Sequence, residues 1–191
     1  MHTSVRRIAI AALALPLLLA GCADDEPVPK VEPSTPAPSV TETVETNEPV
    51  EPTLPPEAEG KGRKAAEAFV RHYYDTVNYA QENDDTEGLR ALGSPGCTAC
   101  TAGADAIDAI YRQGGTIAGG ENTVDRAKAT GMRRLPGAGA IYYVEVKVRN
   151  TDQTVSGSKE LDGTYPAATV RLRFEVAETD KGHLVSQWYS P

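Results

Sequence analysis

The sequence predicts an α+β fold, with helices first and an antiparallel sheet after them. Between residues 62 and 113 apolar side chains recur at the helical period, and beyond residue 140 they alternate with period two. The two kinds of element lie in separate blocks. That order points to helices packed on one face of a sheet rather than to alternating β/α units.

The first helix runs from Gly62 to about Gln81, with Ala66, Phe69, Val70, Tyr73, Val77 and Ala80 on its apolar stripe. A second, short helix spans about Thr86 to Leu92, with Asp84 or Asp85 as its cap. Gly93-Ser94-Pro95-Gly96 interrupts it. A third helix starts at Thr98 or Thr101 and reaches Gln113. It carries Ala106, Ile107, Ile110 and Tyr111 on one face and is closed by Gly114-Gly115.

The strands follow. Tyr142, Val144, Val146 and Val148 share one face of a strand, and Ala168, Val170, Leu172, Phe174 and Val176 share one face of another. Thr179-Asp180-Lys181-Gly182 is a turn into a last strand, His183 to Tyr189. Weaker strand signals cover Thr123 to Ala129 and Thr116 to Ala118. The polar face carries Glu145, Lys147, Arg171, Arg173 and Glu175, which cross-strand charge pairing accounts for.

Ahead of this domain, residues 1–21 read as a signal peptide. Arg6 and Arg7 precede thirteen uncharged residues, Ile8 to Ala20. That run is shorter than the roughly 20 apolar residues a spanning helix needs. It ends in Leu19-Ala20-Gly21-Cys22, which resembles the bacterial lipobox. The resemblance implies cleavage before Cys22 and a diacylglycerol on its thiol. The expected location is therefore the outer face of a cell membrane, with the membrane itself as a partner through that lipid. Residues 22–60 are expected to be a disordered linker. From residue 23 onward this stretch holds nine prolines, ten acids, one lysine and no aromatic residue, too little apolar surface to offset the entropy of ordering it.

Charge is divided unevenly. Residues 23–60 carry a net −9, and the 61–191 domain, with sixteen bases and seventeen acids, a net −1. No basic stripe is visible in the sequence, which speaks against nucleic acid as a partner.

With Cys22 assigned to lipid, Cys97 and Cys100 remain as a pair in a compartment where disulfides persist. A structural disulfide is the favoured reading and thiol exchange the alternative, since a cysteine at a helix N-terminus has its thiolate stabilised. Neither a cofactor nor a metal site is expected: zinc wants about four ligands, and only His72 and His183 could join the two thiols.

Phe69-Val70-Arg71-His72-Tyr73-Tyr74-Asp75, Val77-Asn78-Tyr79-Ala80, Leu89-Arg90-Ala91-Leu92 and Pro95-Gly96-Cys97-Thr98-Ala99-Cys100 together resemble an uncharacterised family of actinobacterial cell-envelope lipoproteins. The likeness covers about residues 62–190. The order of elements is also similar to the nuclear-transport-factor-2-like fold, whose curved sheet and helices form a cone. That fold hosts isomerases, cyclases and inert binding modules alike. The resemblance therefore implies no catalytic residue.

Within such a cone Tyr73, His72 and Asp125 would be the groups available for acid–base work, with Asp125 facing inward from the weaker strand. Against that, His72 and Asp75 lie three apart on a helix and read as a surface pair. The reading that results is a non-catalytic module that binds an envelope protein, a wall component or a small apolar ligand. A small isomerase- or cyclase-like enzyme is the alternative, and a thiol oxidoreductase at Cys97 and Cys100 a more remote one.

Overall fold

The computed structural model describes residues 49–136 and 139–191. The signal peptide, Cys22 and the linker up to residue 48 lie outside these residues. The elements run α1 Pro56–Glu59, α2 Arg63–Asn83, α3 Glu87–Ala91, α4 Thr98–Arg112, β1 Thr116–Gly119, β2 Asn122–Leu135, β3 Gly139–Asn150, β4 Gln153–Ser156, β5 Gly163–Tyr165, β6 Ala168–Thr179 and β7 Gly182–Tyr189. The fold is α+β. Strands β2-β3-β6-β7 form one antiparallel sheet, and β1-β4-β5 form a smaller one.

The period-two pattern fixes the register of the large sheet. Tyr142 faces Val176, Val144 faces Phe174, Val146 faces Leu172 and Val148 faces Val170. Tyr142, Val144, Val146, Val148, Phe174 and Val176 are buried in the core with Phe69, Val70 and Tyr73 of α2, whereas Val170, at the start of β6, is 41% exposed despite its place in the alternation. Register shifts between Val124 and Arg126, between Ala129 and Gly131, and between Glu175 and Val176 mark bulges that bend the strands.

Two strands were not foreseen. β4 and β5 are short and lack clear alternation, and pairing with β1 organises them. Strand β2 runs six residues past the expected Ala129, through Arg133 and Arg134. Its pairing with β3 overrides its polar composition. Asp84 does not cap α3. It closes α2 in the left-handed conformation at φ 54°, and Asp85 accepts the Glu87 N–H at the start of α3 instead.

The free edge of β2 is covered by side chains from α2. Arg63 donates to Ala129 O at 3.2 Å, and Glu67 accepts from Ala129 N at 3.0 Å. Arg71 donates to Val124 O at 2.7 Å. Asn78 donates to Asn122 O at 2.9 Å and accepts from Asn122 N at 2.8 Å. Positions 63, 67, 71 and 78 form one stripe at helical spacing. Exposed strand edges invite pairing with other chains, and this stripe occupies the groups that would pair.

The linker boundary at residue 60 requires correction. Residues 49–60 pack as a strap against the domain: Ala58 is fully buried, Leu54 packs against the core, and α1 is a short helix opened by Pro56. Gly62, at φ 94°, turns the chain from the strap into α2, and its N–H donates to Glu178 at 3.0 Å. The segment could not order itself alone. Two apolar residues suffice because α2, with a smaller share from β7, supplies the rest of the contact.

Candidate functional site

Helices α2 and α4 approach each other over the end of the large sheet and leave an apolar cleft of about 260 Å³. From α2 come Tyr73, Tyr74, Val77 and Gln81. From α4 come Gly103, Ala106, Ile107 and Ile110, and Leu89, Ile117, Gln153 and Trp188 close the sides. The cleft exists because Gly103 and Ala106 are small. A Cβ added at Gly103 would meet nothing within 4 Å. Ile107 and Ile110, the expected apolar face of α4, form its deep wall.

The floor is an aromatic cluster. Phe174 makes edge contacts with Tyr73 at 5.6 Å and Tyr74 at 5.9 Å, and stacks on Trp188 at 6.2 Å. Burial pushes both tyrosine phenols above their ordinary range. Both therefore stay protonated at neutral pH. Trp188 Nε1 is buried without a hydrogen-bond partner among the described residues. Among the described residues, the lining holds no carboxylate, histidine or lysine.

The three residues proposed for acid–base work are not brought together. Tyr73 lines the cleft. His72 is not a surface residue as its spacing with Asp75 suggested, being only 5% exposed. It lies on a different face of α2, and burial lowers its pKa against the opposing charges of Asp75 and Glu51. Asp125 does not face inward. The bulge between Val124 and Arg126 turns it to the outer face of the sheet, where it pairs with Arg149 at 2.8 Å and Lys147 at 3.3 Å. Hydrogen bonds from those two cations hold its carboxyl below the usual range.

Cys97 and Cys100 are bonded to each other, with an S–S distance of 2.04 Å. Cys97 caps α4 by accepting the Cys100 N–H. Both are buried, at 0% and 5% exposure, which shields the bond from an attacking thiolate. A side chain at Gly93 would crowd Cys100 Cβ at 3.0 Å. Ser94 N donates to Val185 O and Val185 N to Leu92 O, so the same turn also covers the edge of β7.

A larger cleft of about 340 Å³ lies beside the C-terminal end of α2, lined by Asn78, Gln81, Glu82 and Glu121 with β1 residues. Its lining is mixed, and Asn78 is already committed to Asn122. The apolar cleft has the stronger claim as a ligand site, since such sites combine an apolar lining with few polar groups.

A family model matches residues 37–180, most of the chain. The chain belongs to a family of unknown function (DUF6318). No curated protein matches it. The DUF6318 domain is similar to the crystal structure of the intermembrane space region of the chloroplast protein ARC6, with a TM-score of 0.50 and 15% identity over 69% of this chain and 97% of that one. At such identity the likeness concerns the fold alone. The span matched by the DUF6318 model opens ahead of the strap, which fits a domain that includes residues 49–60.

Proposed function

We propose that this DUF6318 protein is a non-catalytic binding module of an actinobacterial cell envelope, anchored by lipid on Cys22 and taking a small apolar molecule in the cleft between α2 and α4. The observation that carries the binding role is the composition of that cleft: aromatic and aliphatic walls, two amides, and no group able to exchange a proton near neutral pH. An enzyme of isomerase or cyclase type needs a base within hydrogen-bond reach of its substrate. The two candidates, His72 and Asp125, are absent from the lining.

The cleft suits a ligand of one or two rings or a short branched chain, since a cavity of ~150 Å³ already accepts benzene. Helices on a bulged antiparallel sheet support the kinship with the nuclear-transport-factor-2-like cone. Among the described residues no helix is long and apolar enough to cross a membrane. Attachment through Cys22 rests on the run Leu19-Ala20-Gly21-Cys22 and the apolar stretch before it.

The chain contains a single tryptophan, and it lies in the cleft wall. Titration of the full chain with a small aromatic amine such as 1-aminoanthracene should quench Trp188 emission saturably. Emission that falls only linearly with probe, with no plateau, would remove the case for a ligand site. The anchor has its own test. Mass spectrometry of the mature N-terminus should find a lipidated Cys22, and Cys22→Ala should leave uncleaved precursor or protein released from the membrane.

A further inference from the structure

The outer face of the large sheet carries rows of side chains set directly abreast. In one row Lys128 faces Glu145 and Glu145 faces Arg173, with Arg173 bonded to Glu145 at 3.2 Å. That row alternates in sign, as the sequence pattern leads one to expect. The next row does not. Arg126 faces Lys147, and Lys147 faces Arg171. Three cations thus lie on three neighbouring strands within about 10 Å, given strand spacings near 4.8 Å. Like charges directly opposite each other destabilise a sheet.

Compensation within the row is incomplete. Asp125 reaches Lys147 at 3.3 Å but shares itself with Arg149 at 2.8 Å. Among the described residues no carboxylate lies within ion-pairing distance of Arg126 or Arg171. These cations border a separate cleft of about 290 Å³, which Arg126, Lys147 and Arg171 line together with Glu145 and Pro191. The adjacent row, with two cations around one anion, carries a net +1, so the positive charge is greatest in the Arg126–Lys147–Arg171 row. A charge concentrated on three side chains set abreast suits a compact anion.

We propose that the Arg126–Lys147–Arg171 row is a binding site for a phosphate group, either free or carried on a lipid headgroup. Two guanidinium groups provide planar paired donors that match phosphate oxygens, and the lysine between them adds a point charge. A dianion seated there converts the repulsive row into an attractive one. Asp125 acts as a built-in competitor by holding Lys147. The site is on the opposite face of the sheet from the apolar cleft and is independent of it.

The test uses the full-length chain in nonionic detergent micelles at low salt, titrated with inorganic phosphate and followed by calorimetry. Binding should be saturable and weakened at least ten-fold in Arg126→Gln/Arg171→Gln. It should tighten in Asp125→Asn, which frees Lys147. A control, Lys128→Gln/Arg133→Gln, removes the same charge from the same face outside the row and should change the affinity less than three-fold. Without phosphate, Arg126→Gln/Arg171→Gln should melt at or above the parent temperature because repulsion is relieved. Absence of saturable binding, equal weakening by the control pair, no tightening in Asp125→Asn, or a lower melting point for the row variant would each overturn the proposal. In a second arm, a short-chain phosphatidylglycerol is doped into the micelles. A stronger row-dependent response per phosphate than with inorganic phosphate assigns the group to a lipid headgroup, and a response to inorganic phosphate alone assigns it to a soluble one.

Discussion

At Gly103, midway along α4, a side chain would project into open space, because nothing lies within 4 Å of where its Cβ would sit. Gly103→Leu should therefore fill the cleft and also remove a helix-interior glycine, which costs ~0.8–1 kcal/mol relative to alanine. The variant should melt higher than the parent while binding of an aromatic probe weakens at least ten-fold, measured by Trp188 quenching. A fall in both would mean that α4 shifts rather than fills. The cysteine pair and the buried Tyr73 were legible in the sequence because they followed from spacing and period. Asp125 was not, because a bulge shifts the alternation of the residues that follow it up to the next bulge, and no residue in Thr123 to Ala129 announces one.

His183 and His72 make the domain sensitive to acid. Burial lowers both pKa values below the ordinary 6.5. At His183 the Ala58 carbonyl, at 3.3 Å, and the charge of Glu178 offset part of that drop. Each histidine binds a proton more readily in the unfolded chain. Stability is thus fully present above pH 6.5 and falls as pH drops from there toward the folded pKa values. Glu67 and Glu178 add a second loss further down. Burial raises each, but hydrogen bonds outweigh it: from Lys64 and the Ala129 N–H at Glu67, and from Tyr142 and the Gly62 N–H at Glu178. Denaturant midpoints should fall between pH 7.5 and 5.5, and His183→Asn should flatten part of that slope. A slope unchanged by His183→Asn would leave His72 as the source.

At the scale of elements, the disulfide turn and the strap are the two attachments most open to measurement. The Cys97–Cys100 bridge closes a very short loop, for which chain entropy predicts ~2 kcal/mol. Cys97→Ala/Cys100→Ala should fold with about that loss, and amide exchange should accelerate in residues 92–97, where the turn pairs with Val185. Exchange that accelerates evenly over the whole domain would contradict a local role. A chain that begins at Lys61 should lose roughly 2–3 kcal/mol against one that begins at Pro49, from exposure of the Leu54 and Ala58 contacts and loss of the His183 bond. Equal melting points would mean that the strap contributes nothing. Composition misjudged this strap for a definable reason. Proline and acid content measures what a segment can do alone, whereas Ala58 is buried by the packing of α1 on α2 and β7, where its carbonyl meets His183. The helices and the long strands were legible because their periods hold over ten or more residues. β4 and β5, with four and three residues, give a period too little length to show.

For the whole molecule, α2 is the hinge of the design. It meets the core through Phe69, Val70 and Tyr73, seals the edge of β2 through Arg63, Glu67, Arg71 and Asn78, and offers Tyr73 and Tyr74 to the cleft. The proposed apolar ligand between α2 and α4 and the proposed anion on the outer sheet face would thus act on opposite sides of one domain. The strap gives that body a mechanical property. Any pull arriving through the chain upstream of Pro49 enters at Leu54, Ala58 and Gly62 before it reaches α2. Those contacts stand one after another along the chain, so tension breaks them singly, as a zip opens, instead of shearing them together. The strap would yield at low force and lengthen the molecule by its own dozen residues, while the sheet stays intact and both binding faces keep their shape.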